Sequence, residues 1–236
     1  MATITIQAGD GAGSFSAYML EPKRPPAGET AGAVVLIQEI FGVNQAMRDA
    51  AAWVADMGFI AVCPDLFWRL EPNIDITDKT DSEWKKAFEL FNKFDQPKGV
   101  EDLRATLAAA RKLPGRNGRV GTMGYCLGGR LAFMMATQSD ADVNISYYGV
   151  GLDNLLGDVG KISKPLVLHI ADQDEFFPPE GRAKLIEGVK GHRQIACHIY
   201  PDANHAFARV GGIHWNGRAA TIANGRSAEA LVAALG

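Results

Sequence analysis

Cys126 lies in the stretch VGTMGYCLGGRLAFMMA, Val120 to Ala136, with Gly124 two residues before it and Gly128 two after. A thiol set between a β-like run and a helix-like run in the form G-x-C-x-G is the cysteine counterpart of a nucleophile elbow. Such a turn strains its central residue and leaves no room for side chains at the flanking positions, which accounts for the glycines. Cys126 would then stand at a helix N-terminus, where unpaired N–H groups and the helix dipole favour a thiolate and a developing oxyanion. The N–H of Leu127 is one expected oxyanion donor, and that of Ile40, in the loop after AGAVVLIQEI, the second. The alternative is a small buried thiol that only packs a tight turn.

A thiol nucleophile also needs a general base and a group to orient it. Asp174, in IADQDEFFP, follows the strand-like run KPLVLHIAD, and His205, in PDANHAFAR, follows QIACHIYP. Both would emerge at the sheet edge that carries Cys126, in the order nucleophile, acid, histidine. Asp172 closes its strand and reads as a turn residue, and His169 lies inside an apolar run as a core imidazole. His192, His198 and His214 have no placement at this edge. Cys63 and Cys197 read as inert thiols within strands, and no metal-ligand spacing occurs.

These residues can meet only if the chain alternates strands and helices in the right order. TITIQA and FSAYMLEP suggest an opening antiparallel hairpin. AGAVVLIQEI, FIAVCPD, RVGTMGY, VNISYYG, KPLVLHIAD and QIACHIYP read as buried strands. Helical spacing runs from Asn44 to Gly58, Ser82 to Phe94 and Lys98 to Leu113, then after Cys126, after Pro178, and from Trp215 onward. The pattern predicts an α/β fold, a mainly parallel, doubly wound sheet with ligands bound beyond the carboxyl ends of its strands. The irregular stretch from Leu66 to Asp81 is expected to border the pocket.

The 236 residues, 47% hydrophobic and 22% charged, suit one globular domain over 1–236 rather than a disordered chain. A net charge of -3 offers no broad cationic surface, which argues against nucleic acid or an anionic membrane as partner and for a small molecule. The start, MATITIQAGDGAGSFS, carries no basic segment leading into an apolar one, and AGAVVLI is too short to cross a bilayer. A cytoplasmic monomer is the expectation.

Together, QEIFGVN (38–44), CPDL (63–66), GYCLGG (124–129), YYGVG (147–151), Asp174 and HAFAR (205–209) resemble the dienelactone hydrolase, or carboxymethylenebutenolidase, family over nearly the whole chain. The resemblance implies an α/β-hydrolase fold and no cofactor. It also implies a Cys126–His205–Asp174 triad that opens an unsaturated lactone to a carboxylic acid through a thioacyl-enzyme. It gives Glu39 the part of activating the thiol, Arg209 the part of pairing with Glu39 and with the substrate carboxylate, and Tyr147 a place at the substrate. Without it, Glu39 reads equally as a helix-terminal charge and Arg209 as a surface residue.

One departure concerns the substrate. An arginine and a tyrosine one helical turn apart, which hold the substrate carboxylate in dienelactone-specific members, fall on Trp84 and Phe88 here. The pair would line the pocket with aromatic surface or, at a spacing of four, simply face the core. Arg69 is a candidate to replace the lost charge. Two rival functions follow: a broader carboxylesterase or thioesterase acting on neutral or aromatic esters, and a non-catalytic thiol sensor on the same fold.

Overall fold

The computed structural model describes residues 2–23, 31–114 and 116–236. Eight strands form one mixed sheet: β1 (Ala2–Gln7), β2 (Ser14–Leu20), β3 (Ala31–Ile37), β4 (Ile60–Pro64), β5 (Arg116–Tyr125), β6 (Asn144–Tyr147), β7 (Leu166–Ala171) and β8 (Ile195–Tyr200). Their order across the sheet is β1-β2-β4-β3-β5-β6-β7-β8. β2 pairs antiparallel with β1 and with β4, and every pairing from β4 to β8 is parallel. The opening hairpin and the parallel body both match the sequence reading. No helix among the described residues is long and apolar enough to cross a membrane.

The helices are α1 (Gln45–Asp56), α2 (Asp81–Lys93), α3 (Gln96–Arg111), α4 (Leu127–Gln138), α5 (Pro179–Val189) and α6 (Gly217–Leu235). Several open on side-chain caps that the sequence supplies. Asn44 Oδ1 accepts from the Met47 N–H at 3.3 Å, and Asp95 Oδ1 accepts from the Lys98 N–H at 3.0 Å. At α2, Thr80 and Glu83 interlock: the Glu83 N–H donates to Thr80 Oγ1 at 3.3 Å, and the hydroxyl returns to Glu83 Oε2 at 2.7 Å. β3, β4, β6 and β7 are buried along their whole length, as a sheet covered by helices requires.

Three boundaries differ from the sequence reading. β3 ends at Ile37 rather than continuing through Ile40, because Gln38 turns away to accept the Leu66 N–H at 3.0 Å. A 3-10 segment, Leu152–Lys161, follows β6; Gly157 and Gly160 interrupt it and blur any helical period. α6 starts at Gly217, capped by Asn216, so residues 201–216 stay irregular between β8 and α6.

Candidate active site

Cys126 stands between β5 and α4 with φ 57° and ψ -117°, a left-handed conformation that costs a β-substituted residue on the order of 1–3 kcal/mol. The turn is fixed by the Cys126 N–H donating to the Tyr147 carbonyl at 3.0 Å and by Arg130 N–H donating to the Cys126 carbonyl at 3.1 Å. Its sharpness depends on two glycines. A Cβ on Gly124 would sit 1.9 Å from the Gly128 carbonyl oxygen, and one on Gly128 would sit 2.2 Å from that of Ile37. The backbone therefore passes where any side chain would clash. Leu127 opens α4, so its N–H has no partner within the helix.

Opposite the sulfur, His205 Nδ1 lies 2.9 Å from Asp174 Oδ2, with both side chains buried. Asp174 Oδ1 accepts the Phe176 N–H at 2.9 Å, which fixes the carboxylate plane. Burial alone would depress the His205 pKa, but the adjacent Cys126 sulfur and the hydrogen bonds to Asp174 and Cys126 outweigh it, and the imidazole is pushed up to about 10. The elbow, the acid and the histidine are thus brought together as the sequence spacing predicts. Asp172 is half-buried at the strand end, its N–H bonded to the Tyr200 carbonyl at 3.1 Å and its carboxylate away from His205.

Arg182, which sequence reasoning did not single out, organises the acid loop. Its Nη1 donates to the carbonyls of Asp174, at 3.1 Å, and Phe177, and its Nη2 donates to that of Asp172 at 2.6 Å. An arginine in a polar helix reads as surface, and only its burial shows otherwise.

Glu39 and Arg209 form a buried bidentate pair, Nε to Oε2 at 2.7 Å and Nη2 to Oε1 at 3.0 Å. Arg209 also donates through Nη1 to Asp78 Oδ2, and its guanidinium lies 4.9 Å from the centre of the Phe41 ring. Burial opposes the charge, but Glu39 and Asp78 more than offset it and raise the Arg209 pKa above the ordinary arginine value. Neither residue is a solvated surface charge. Asp78 was missed: its only sequence signal was membership of the irregular stretch from Leu66 to Asp81, which does border the pocket.

Over the sulfur opens a cavity of about 170 Å³ lined by Cys126, His205, Arg209, Ile40, Phe41, Trp84, Phe88, Phe91, Val150 and Phe176. Trp84 stacks on Phe88 with ring centres 5.5 Å apart and meets Phe41 edge-on at 5.0 Å. Both aromatic residues expected at the pocket therefore line it. Glu39 instead faces a separate cavity behind Arg209, of about 160 Å³, with Tyr148 and Trp53. A larger open groove of about 910 Å³ lies against α3, where Lys98 pairs with Asp10 at 3.1 Å, and its lining holds neither cysteine nor histidine.

Two expectations need correction. Tyr147 does not reach the pocket: it is fully buried, its hydroxyl lies 2.7 Å from Ser227 Oγ and donates to Asn224 Oδ1 at 2.9 Å, and its ring stacks on Tyr125. Tyr148, the next residue, is the one against His205, with ring centres 5.2 Å apart. Nor does Arg69 supply a cation, because it is held by Asp102, at 2.8 and 2.9 Å, and by Asp10.

His169 and Cys63 match their core assignments, whereas Cys197, read as a buried thiol, is only half-buried in the edge strand β8. His169 bonds Tyr200 at 2.8 Å and Ser227 at 2.9 Å, and burial pushes its pKa well below the ordinary value. Burial raises the thiol pKa of Cys63, and that of Cys197 to about 11. Among the described residues, no group of three or more His, Cys, Asp or Glu side chains is arranged to hold a metal ion.

The model of the dienelactone hydrolase family matches residues 15–235. This chain belongs to the dienelactone hydrolase family. A relative from Azospirillum brasilense is 52% identical over 231 residues, covering 97% of this chain and 96% of the relative. Carboxymethylenebutenolidase 1 of Cupriavidus pinatubonensis is 41% identical, covering 93% and 92%. A solved Klebsiella pneumoniae structure superposes with a TM-score of 0.82 over 98% of both chains at 21% identity, a likeness of fold. The chain is thus a hydrolase with the α/β-hydrolase fold of the dienelactone hydrolase family, whose antiparallel start and parallel body are those described above.

Proposed function

We propose that the protein opens an unsaturated lactone of the dienelactone type to a carboxylic acid through a thioacyl-enzyme on Cys126. The observation that carries this reading is the meeting, in one cavity, of a thiol on a strained elbow with an imidazole oriented by a buried carboxylate. Cys126 gives its thiol proton to Glu39, its sulfur attacks the carbonyl carbon, and the oxygen that takes up charge lies toward the N–H groups of Leu127 and Ile40. The ring C–O bond then breaks, and its oxygen receives a proton from the His205 imidazolium. In the second half, water adds to the thioester carbon as His205 takes its proton, the C–S bond breaks, the acid leaves, and the sulfur recovers its proton from Glu39. Asp174 holds the His205 ring throughout.

The family resemblance adds a part for Glu39. A substrate carboxylate that draws Arg209 away would leave Glu39 uncompensated in a buried site, where a carboxylate gains by accepting the thiol proton. Replacement of Cys126 by Ala should abolish hydrolysis of cis-dienelactone and of an activated aryl ester. Full activity of that variant on both substrates would end the proposal.

A second reading is hydrolysis of neutral or aromatic esters, and the Trp84–Phe88 stack at the cavity favours it. Relative turnover of cis-dienelactone and neutral aryl esters separates the two readings.

A further inference from the structure

The pocket contains one guanidinium, and that guanidinium already has two carboxylates. Arg209 is the only arginine or lysine lining the cavity over Cys126 among the described residues. Glu39 takes its Nε and Nη2, and Asp78 takes its Nη1. All three side chains are buried, at 8% or less exposure, so the charges act on one another with little screening by water. The cluster sums to one net negative charge. A substrate carboxylate arriving at Arg209 would have to displace a buried anion and would meet repulsion from the other.

Asp78 is not placed there by chance packing. The Trp84 indole N–H donates to the Asp78 carbonyl at 2.9 Å, so an aromatic residue of the pocket wall also anchors the main chain of the second carboxylate. The preceding loop is tied to the oxyanion loop by Asn44 Nδ2 donating to the Ile76 carbonyl at 2.9 Å and by the Ile76 N–H donating to Phe41 O at 3.2 Å. Trp84 and Asp78 therefore act as one unit: the first offers a flat apolar face, and the second occupies the cation that an anionic substrate would seek.

We infer that Asp78 is a specificity-determining positioning residue which, by occupying Arg209, turns this pocket against carboxylate-bearing substrates and toward neutral aryl esters and lactones. The inference rests on the hydrolase reading of this site and, within it, favours neutral esters and lactones over a carboxylate-bearing dienelactone. It also limits when Glu39 is released, since Arg209 has a second tether.

Two measurements test it. The first is calorimetric binding of 4-acetoxybenzoate and its neutral methyl ester to Cys126→Ala protein, which needs no turnover. Addition of Asp78→Asn should tighten binding of the anion relative to the ester by about tenfold, the effect expected for one charge-assisted hydrogen bond made available. Asp78→Glu, which keeps the charge, should restore the original preference. The second is the KM ratio of the same two esters in otherwise unaltered protein, which should fall in Asp78→Asn by a similar factor. An unchanged ratio would overturn the inference, as would equal weakening of both ligands, the result of a purely structural role. A shifted binding ratio in a protein whose Cys126→Ala variant hydrolyses both esters as fast as the parent would leave the role of Asp78 standing and remove the cysteine mechanism instead.

Discussion

Glu39 and Asp174 are both buried carboxylates, yet their partners assign them different work. Asp174 has one oxygen on His205 and the other on the Phe176 N–H, so it cannot move without releasing the imidazole. Asp174→Asn should keep the fold and lower kcat by a factor on the order of 10⁴, because the amide favours the wrong imidazole tautomer; a stopped assay on an aryl ester reads this directly. Glu39 has Arg209 as its partner, and its proposed proton-accepting part arises only when an anionic substrate competes for that arginine. Glu39→Gln should therefore lower turnover of cis-dienelactone by about tenfold or more, in the range of general-base effects, and that of a neutral aryl ester much less. Equal losses on both would reduce Glu39 to a holder of Arg209. These two acids were legible from position and motif. Asp78 was not, because its significance lies in a contact with Arg209 across 131 positions of sequence that no local pattern encodes.

The strands and helices place this chemistry through their ends, and the acid loop between β7 and α5 shows how. Arg182 reaches back from α5 to hold three carbonyls on either side of Asp174. Arg182→Met should leave them unsatisfied in a buried site and cost about 2–4 kcal/mol of unfolding free energy, from more than one hydrogen bond to a charged group. Urea denaturation measures the loss, and kcat should fall with it as Asp174 loosens. The order of strands and the elbow were readable because glycine spacing, apolar runs and caps are local signals. The end of β3 and the 3-10 segment were not. Gln38 looks apolar-flanked and strand-like until its side chain is seen accepting the Leu66 N–H. Tyr147 failed for a related reason: Tyr147 and Tyr148 are adjacent, and only the turn after β6 decides which ring faces His205 and which faces α6.

The molecule as a whole carries two buried imidazoles shifted in opposite directions, and its stability should depend on pH accordingly. His169 is held neutral, with a folded pKa far below the ordinary 6.5. The unfolded chain therefore binds the extra proton first, and stability falls as pH drops below about 6.5, by at most about 1.4 kcal/mol per pH unit for this one group. His205 has a raised folded pKa, so its contribution is full below 6.5 and fades as pH climbs toward about 10. Thermal melting across pH should show a maximum near neutrality, with the alkaline arm flattened in Cys126→Ala, where the sulfur partner of His205 is gone. The three cysteines also differ by location in a way that can be exploited. Cys63 is sealed in β4 near the middle of the sheet, and Cys197 sits half-buried in β8 at its edge. A thiol-reactive dye added to native protein should therefore count one equivalent promptly, from Cys126 at its cavity, a second when the margin frays, and the last only when the whole interior is laid open, giving an intrinsic three-stage clock for how this molecule comes apart.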